Sequence, residues 1–183
     1  MKKAIRLLFI GNSHTYYNDM PLFVRDMAQT CGYTCDVTML ARGGWSLEQH
    51  VNTQETRFNI LFGRYDYVIL QERSHPFAPE EKYRDALSQM DEWIRQAGAK
   101  AVIYETWAKK NEPDYQAEMN RIQHGAADAL SAILAPVGEN WWAYQQARPD
   151  IELYAQDGAH ASASGSEFAA KIIWEAILAD LSR

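Results

Sequence analysis

Cysteine is nearly absent from this chain of 183 residues: Cys31 and Cys35 are too few for a disulfide framework, and neither has Cys or His partners at metal-site spacing. Both read as free thiols. Long apolar runs are missing too, since no stretch approaches the roughly 20 residues of a membrane span. No Lys/Arg-rich run appears, and 24 acidic residues against 18 basic ones leave a net charge of −6. A nucleic-acid partner is not expected, because such binding needs a basic stripe to displace counterions. Internal repeats, low-complexity tracts and interdomain linkers are absent as well, so residues 1–183 read as a single domain. The opening "MKKAIRLLFIGNSH" has the basic start of a secretory leader, but its apolar run is short and no small-residue cleavage site follows. The same residues serve better as a first strand. A cytoplasmic protein is expected, a trimmed leader being the alternative.

What is present is the composition of a globular protein, 47% hydrophobic and 23% charged. Short apolar runs at 5–10, 35–40, 67–71 and 101–105, with a weaker one at 134–137, read as strands. Helical stretches fall between them at about 20–31, 47–61, 79–97 and 114–133, and a last one at 165–182. A short helix fits 141–148. In the third stretch Tyr83, Leu87, Met90, Ile94 and Ala97 form one apolar stripe. Ser164 with Glu167 has the spacing of a capping box for the last helix. Strand–helix alternation predicts an α/β fold: a three-layer α/β/α sandwich on a five-stranded parallel sheet. In such sheets ligands bind beyond the carboxyl ends of the strands, near the switch point in strand order. The residues directly after each strand are therefore the candidates.

After the first strand comes Gly11-Asn12-Ser13-His14, where Ser13 can be a helix cap, a phosphate-binding hydroxyl or a nucleophile. After the second comes Arg42-Gly43-Gly44-Trp45-Ser46, after the third Gln71-Glu72-Arg73-Ser74-His75, and after the fourth Glu105-Thr106-Trp107. Asp157-Gly158-Ala159-His160 stands before the last helix. Each piece alone is weak, and together they make a coherent set. A serine hydroxyl becomes nucleophilic when a base takes its proton and a third group fixes that base. Asp157 can accept from Nδ1–H of His160, which leaves Nε2 free for Ser13. The glycines at 43–44 let backbone N–H groups approach a reacting oxygen.

The blocks "GNSHT", "RGGWSLE", "VILQERS" and "DGAH" resemble, in order and spacing over nearly the full length, those of the SGNH (GDSL-type) hydrolases, and more closely a subgroup whose first block reads Gly-Asn-Ser. The resemblance implies a flavodoxin-like fold and makes Ser13 the nucleophile, His160 the general base and Asp157 its orienting partner. It also implies an oxyanion hole formed by the backbone N–H groups of Ser13 and Gly44 and a side-chain amide from the third block. The family usually has Gly-x-Asn there, whereas this chain reads Leu70-Gln71-Glu72, so Gln71 is the expected third donor with one methylene more.

His14, Trp45, Glu72 and Trp107 are candidate substrate contacts, His14 as a pocket wall and the two tryptophans as platforms for a sugar ring. His50, His75 and His124 read as surface or helix residues, and Glu105 as a strand-end carboxylate that binds arginine or backbone amides. Asp157, His160 and Glu72 lack the paired spacing of a metal site, so neither metal nor cofactor is expected. The resulting expectation is a serine hydrolase of short-chain carboxylic esters, with acetyl esters of carbohydrates as the best candidates and a small molecule or glycan as partner. Nothing in the sequence sets the oligomeric state. The competing readings are a flavodoxin-like phosphate-binding module and an acyltransferase or inactive relative on the same fold.

Overall fold

A computed structural model describes residues 3–183. Strand β1 (Lys3–Gly11) lies in the middle, parallel to β2 (Tyr33–Ala41) on one side and β3 (Tyr67–Leu70) on the other. Strands β4 (Lys100–Tyr104) and β5 (Ile133–Ala135) continue the sheet, giving the order β2-β1-β3-β4-β5 with every pair parallel. A strand covered on both faces has no solvated side to fill with polar residues, which explains the unbroken run Leu7-Leu8-Phe9-Ile10. All four are fully buried, each worth about 1.5–3 kcal/mol of apolar transfer.

Side chains alternate across the sheet, so β1 feeds two cores. Ile5, Leu7 and Phe9 pack against α2 (Met20–Thr30), α7 (Val137–Ala147) and α8 (Ala163–Leu181). Leu8 and Ile10 face α3 (Leu47–Val51), α4 (Gln54–Phe62), α5 (Glu80–Gln96) and α6 (Tyr115–Leu130). The predicted α/β/α sandwich on a five-stranded parallel sheet is what the chain forms. Among the described residues no helix is long and apolar enough to cross a membrane.

Several element boundaries differ from the sequence reading, each for a local reason. The single helix expected over 47–61 is two, because Thr53 turns the chain: its hydroxyl donates to His50 O at 2.9 Å and accepts from Thr56 N at 3.2 Å, capping α4. The last helix is capped by Ser162, whose Oγ accepts from Gly165 N at 3.1 Å, and not by Ser164 with Glu167. A reciprocal capping box does exist at the start of α3, between Ser46 and Gln49. The helix expected over 141–148 begins earlier, at Val137, directly after Pro136. One short helix was not anticipated: α1 (Ser13–Tyr16), followed by a 3₁₀ turn at Tyr17–Asp19.

Candidate active site

The switch point of this strand order lies between β1 and β3, where the chain leaves β1 for opposite edges of the sheet. Gly11 ends β1 there because nothing larger fits. A β-carbon on it would stand 2.4 Å from Oε1 of Gln71 and 2.5 Å from Oγ1 of Thr15. Asn12 then joins two blocks: its Oδ1 accepts from His14 N at 3.1 Å, capping α1, and its Nδ2 donates to Trp45 O at 2.8 Å. That second bond draws the Gly43-Gly44 loop up to the serine. Gly44 has φ of 73°, a conformation that favours glycine. Among the described residues the N–H groups of Ser13 and Gly44 donate to no protein acceptor.

Ser13 Oγ is 2.8 Å from Nε2 of His160, across 147 positions of sequence. Nδ1 of the same imidazole is 2.5 Å from Asp157 Oδ2. The other oxygen of Asp157 accepts from Ala159 N and His160 N, both at 2.9 Å, so the loop folds around its own carboxylate. Burial would raise the Asp157 pKa, but the His160 side chain and these two N–H donors together hold it down to about 2. Trp107 braces the loop from below, donating from Nε1 to Ala159 O at 2.8 Å while its ring stacks on Trp141 at 3.8 Å.

The pocket beside Ser13 measures about 350 Å³ and is lined by Asn12, Ser13, His14, Gly44, Arg73, Ser74, His75, Ala159 and His160. Seven of the nine carry polar side chains, and none of the nine is a large aliphatic residue. A larger cavity of about 540 Å³ opens near the amino-terminal ends of β4 and β5, between Arg95, Lys100 and Asp180, and takes no part in this cluster. Among the described residues no group of three His, Cys, Asp or Glu side chains is arranged to hold a metal ion.

Four expected contacts are corrected. Gln71 is fully buried and turned into the protein: Oε1 accepts from Asn12 N and Thr15 Oγ1, both at 2.8 Å, and Nε2 donates to Glu72 O. Its amide is spent beneath the Asn12–Thr15 segment and is not free to act as an oxyanion donor. Glu72 is also buried, its oxygens accepting from Leu47 N at 3.1 Å and Arg73 N at 2.6 Å. Burial raises its pKa to about 7 against those donors. Trp107 has no exposed surface and cannot stack on a substrate. Trp45 lies under the Arg42 guanidinium, 4.5 Å from its ring, and does not line the pocket.

His14 is a pocket wall as expected, and burial lowers its pKa to about 3, so it carries no charge there. Its Nε2 has no partner among the described residues, and neither does that of His75. His75 is a loop residue of the pocket rather than the surface or helix residue expected, with its pKa lowered to about 4 by burial. His50 and His124 sit on helices; His50 is buried and bonds Gly11 O at 2.7 Å, while His124 meets Glu105 at 2.9 Å. Glu105 accepts from Glu139 N at 3.0 Å, the amide-binding role expected of it. Arg73, Ser74 and His75 follow β3 two residues further on, past Gln71 and Glu72, so the rule that led to Ser13 points to their segment as well. Tyr17 had no such signal, and its ring stacks on His160 at 4.2 Å.

No protein-family model and no curated protein matches the chain. Solved structures do. A lipase/acylhydrolase from Enterococcus faecalis covers 96% of each chain at 16% identity with a TM-score of 0.78. An acetyl-xylooligosaccharide esterase from Geobacillus matches 97% of this chain and 96% of its own at 13% identity and a TM-score of 0.73. These two share the fold. An SGNH hydrolase from Slackia heliotrinireducens matches at 30% identity over 96% of this chain and 100% of its own, with a TM-score of 0.82. Likeness of that degree over the whole length decides the family, and this chain belongs to the SGNH hydrolases, the carboxylic ester hydrolases whose blocks its sequence carries.

Proposed function

We propose that the chain hydrolyses short-chain carboxylic esters through an acyl-enzyme on Ser13, with acetyl esters of carbohydrates as its natural substrates. The observation that carries the mechanism is the continuous series Ser13 Oγ, His160 Nε2, His160 Nδ1, Asp157 Oδ2, joined at 2.8 and 2.5 Å, with Ser13 and His160 on the wall of one pocket. Ser13 Oγ attacks the ester carbonyl as its proton passes to His160 Nε2. Asp157 keeps the other nitrogen protonated and faces the positive charge that develops on the ring. The carbonyl oxygen becomes an oxyanion held by the N–H groups of Ser13 and Gly44. His160 returns the proton to the departing alcohol; water then attacks the acyl-enzyme by the same route and releases the acid.

The acyl preference rests on the pocket lining. No apolar side chain larger than that of Ala159 borders it, so a long chain finds nothing to bury against. Sugar hydroxyls would instead meet Arg73 and His75. The acetyl-xylooligosaccharide esterase on the same fold supports that substrate class. The test is a series of nitrophenyl esters. The ratio kcat/KM should be highest for acetyl or propionyl and fall with each lengthening, and acetylated sugars should release acetate. A preference for octanoyl over acetyl overturns the short-chain assignment.

A further inference from the structure

We propose that Tyr17 is a positioning residue for the general base, its ring lying flat on the His160 imidazole and holding it in the plane that joins Ser13 to Asp157. This rests on the reading of His160 as that base. The two rings are 4.2 Å apart between centroids, with 10° between their planes. Ser13 and Asp157 grip the imidazole only at its edge, through Nε2 and Nδ1. Two edge contacts leave one freedom, a tilt about the line joining them, and a stacked ring removes it.

The backbone beneath Tyr17 is built for this placement. Asn18 (φ 53°) and Asp19 (φ 55°) follow it in the left-handed region, and Asn and Asp are the non-glycine residues that tolerate it best. Core packing does not explain the turn, because Tyr17, Asn18 and Asp19 are all exposed. Hydrogen bonds tie it to the base's own segment. Asn18 Nδ2 donates to Ala161 O at 3.1 Å and to Ser166 Oγ at 2.9 Å, and Ser166 Oγ donates to Tyr17 O at 3.2 Å. Ala161 adjoins His160 in the chain, so the tyrosine and the histidine share one frame.

The stack also favours the reaction's charged form. As His160 takes the Ser13 proton it becomes an imidazolium, and an aromatic face attracts a cation lying over it. The neighbouring His14 ring, 5.0 Å away, is kept neutral by burial and offers no competing charge. Because the cation exists only from the transition state onward, the benefit belongs to kcat and not to ground-state binding.

The experiment compares the wild-type chain with Tyr17→Ala and Tyr17→Phe in two measurements: steady-state hydrolysis of nitrophenyl acetate, and the NMR resonance of the His160 ring C–H. Tyr17→Ala should lower kcat about three- to thirtyfold with KM within about twofold. Tyr17→Phe should recover most of that loss, since the ring and not the hydroxyl faces the imidazole. The His160 resonance, shielded by the stacked ring, should move downfield in Tyr17→Ala and much less in Tyr17→Phe. A Tyr17→Ala variant with unchanged kcat, or with raised KM alone, overturns the proposal, as does a Tyr17→Phe variant as slow as the alanine one. The resonance needs no substrate. A resonance unmoved in Tyr17→Ala disproves the stack itself, whereas a stack present in a wild type that hydrolyses no ester disproves the base on which the proposal stands.

Discussion

Gln71 occupies the space a side chain on Gly11 would need, its Oε1 lying 2.4 Å from the position of a β-carbon there. The glycine that ends β1 and the glutamine that follows β3 are thus one joint across the switch point. The amide accepts from Asn12 N and the Thr15 hydroxyl, and so supports both residues flanking Ser13–His14. Gln71→Ala removes the acceptor of two buried donors. An unsatisfied buried donor costs about 1–3 kcal/mol, so the loss of two should cost about 2–6 kcal/mol and lower the thermal midpoint by several degrees or more. An unchanged Tm would show that the joint is slack.

Asp157→Asn tests whether this carboxylate orients His160. The asparagine Oδ1 can still accept from Ala159 N and His160 N, so the loop should keep its shape. Its amide would face His160 Nδ1 with a donor and favour the wrong tautomer. The variant should retain the wild-type circular dichroism spectrum while kcat falls by about 10³–10⁴. Near-full activity would mean that Asp157 serves the turn alone.

His14 should make the protein acid-sensitive. Its pKa is lowered by burial from 6.5 to about 3, so between those values the unfolded chain binds a proton that the folded chain refuses. Stability contributed by the neutral ring is full above about pH 6.5 and is lost as the pH falls toward 3. His75, lowered to about 4, acts in the same direction, while Glu72, raised to about 7, binds its proton preferentially in the fold and opposes them between 4.5 and 7. His14→Leu should therefore flatten the fall in Tm between pH 6.5 and 4, since the opposed shifts of His75 and Glu72 largely offset each other. An unaltered slope would contradict the burial of a neutral His14.

The strands were legible because a parallel sheet buries them on both faces, which leaves apolar runs such as Leu7–Ile10 that nothing polar interrupts. The meeting of Ser13, Asp157 and His160 was legible because their segments bring their own geometry, a strand end and an aspartate three residues before a histidine, whereas Gly44 was singled out from the glycine pair only by the family resemblance. Gln71 was misjudged for a reason the sequence does not hold. An amide directly after a strand can turn outward to a substrate or inward to its neighbours, and the missing side chain at Gly11 decides for inward. Trp107 and Glu72 followed the same path, since position after a strand says nothing of which way a side chain points. Tyr17 needed the left-handed turn at Asn18-Asp19, a tertiary arrangement with no periodic signature.

Activation of Ser13 by His160 can be read out by covalent labelling. The intact protein is treated with a fluorophosphonate, which reacts with base-activated serines and not with capping hydroxyls, and the modified residue is located by peptide mass spectrometry. One adduct is expected, on Ser13, with loss of esterase activity in proportion to labelling, and no adduct in Ser13→Ala or, at the same exposure, in His160→Ala. A wild-type protein that takes no label, or one labelled at Ser13 equally well without His160, would contradict it.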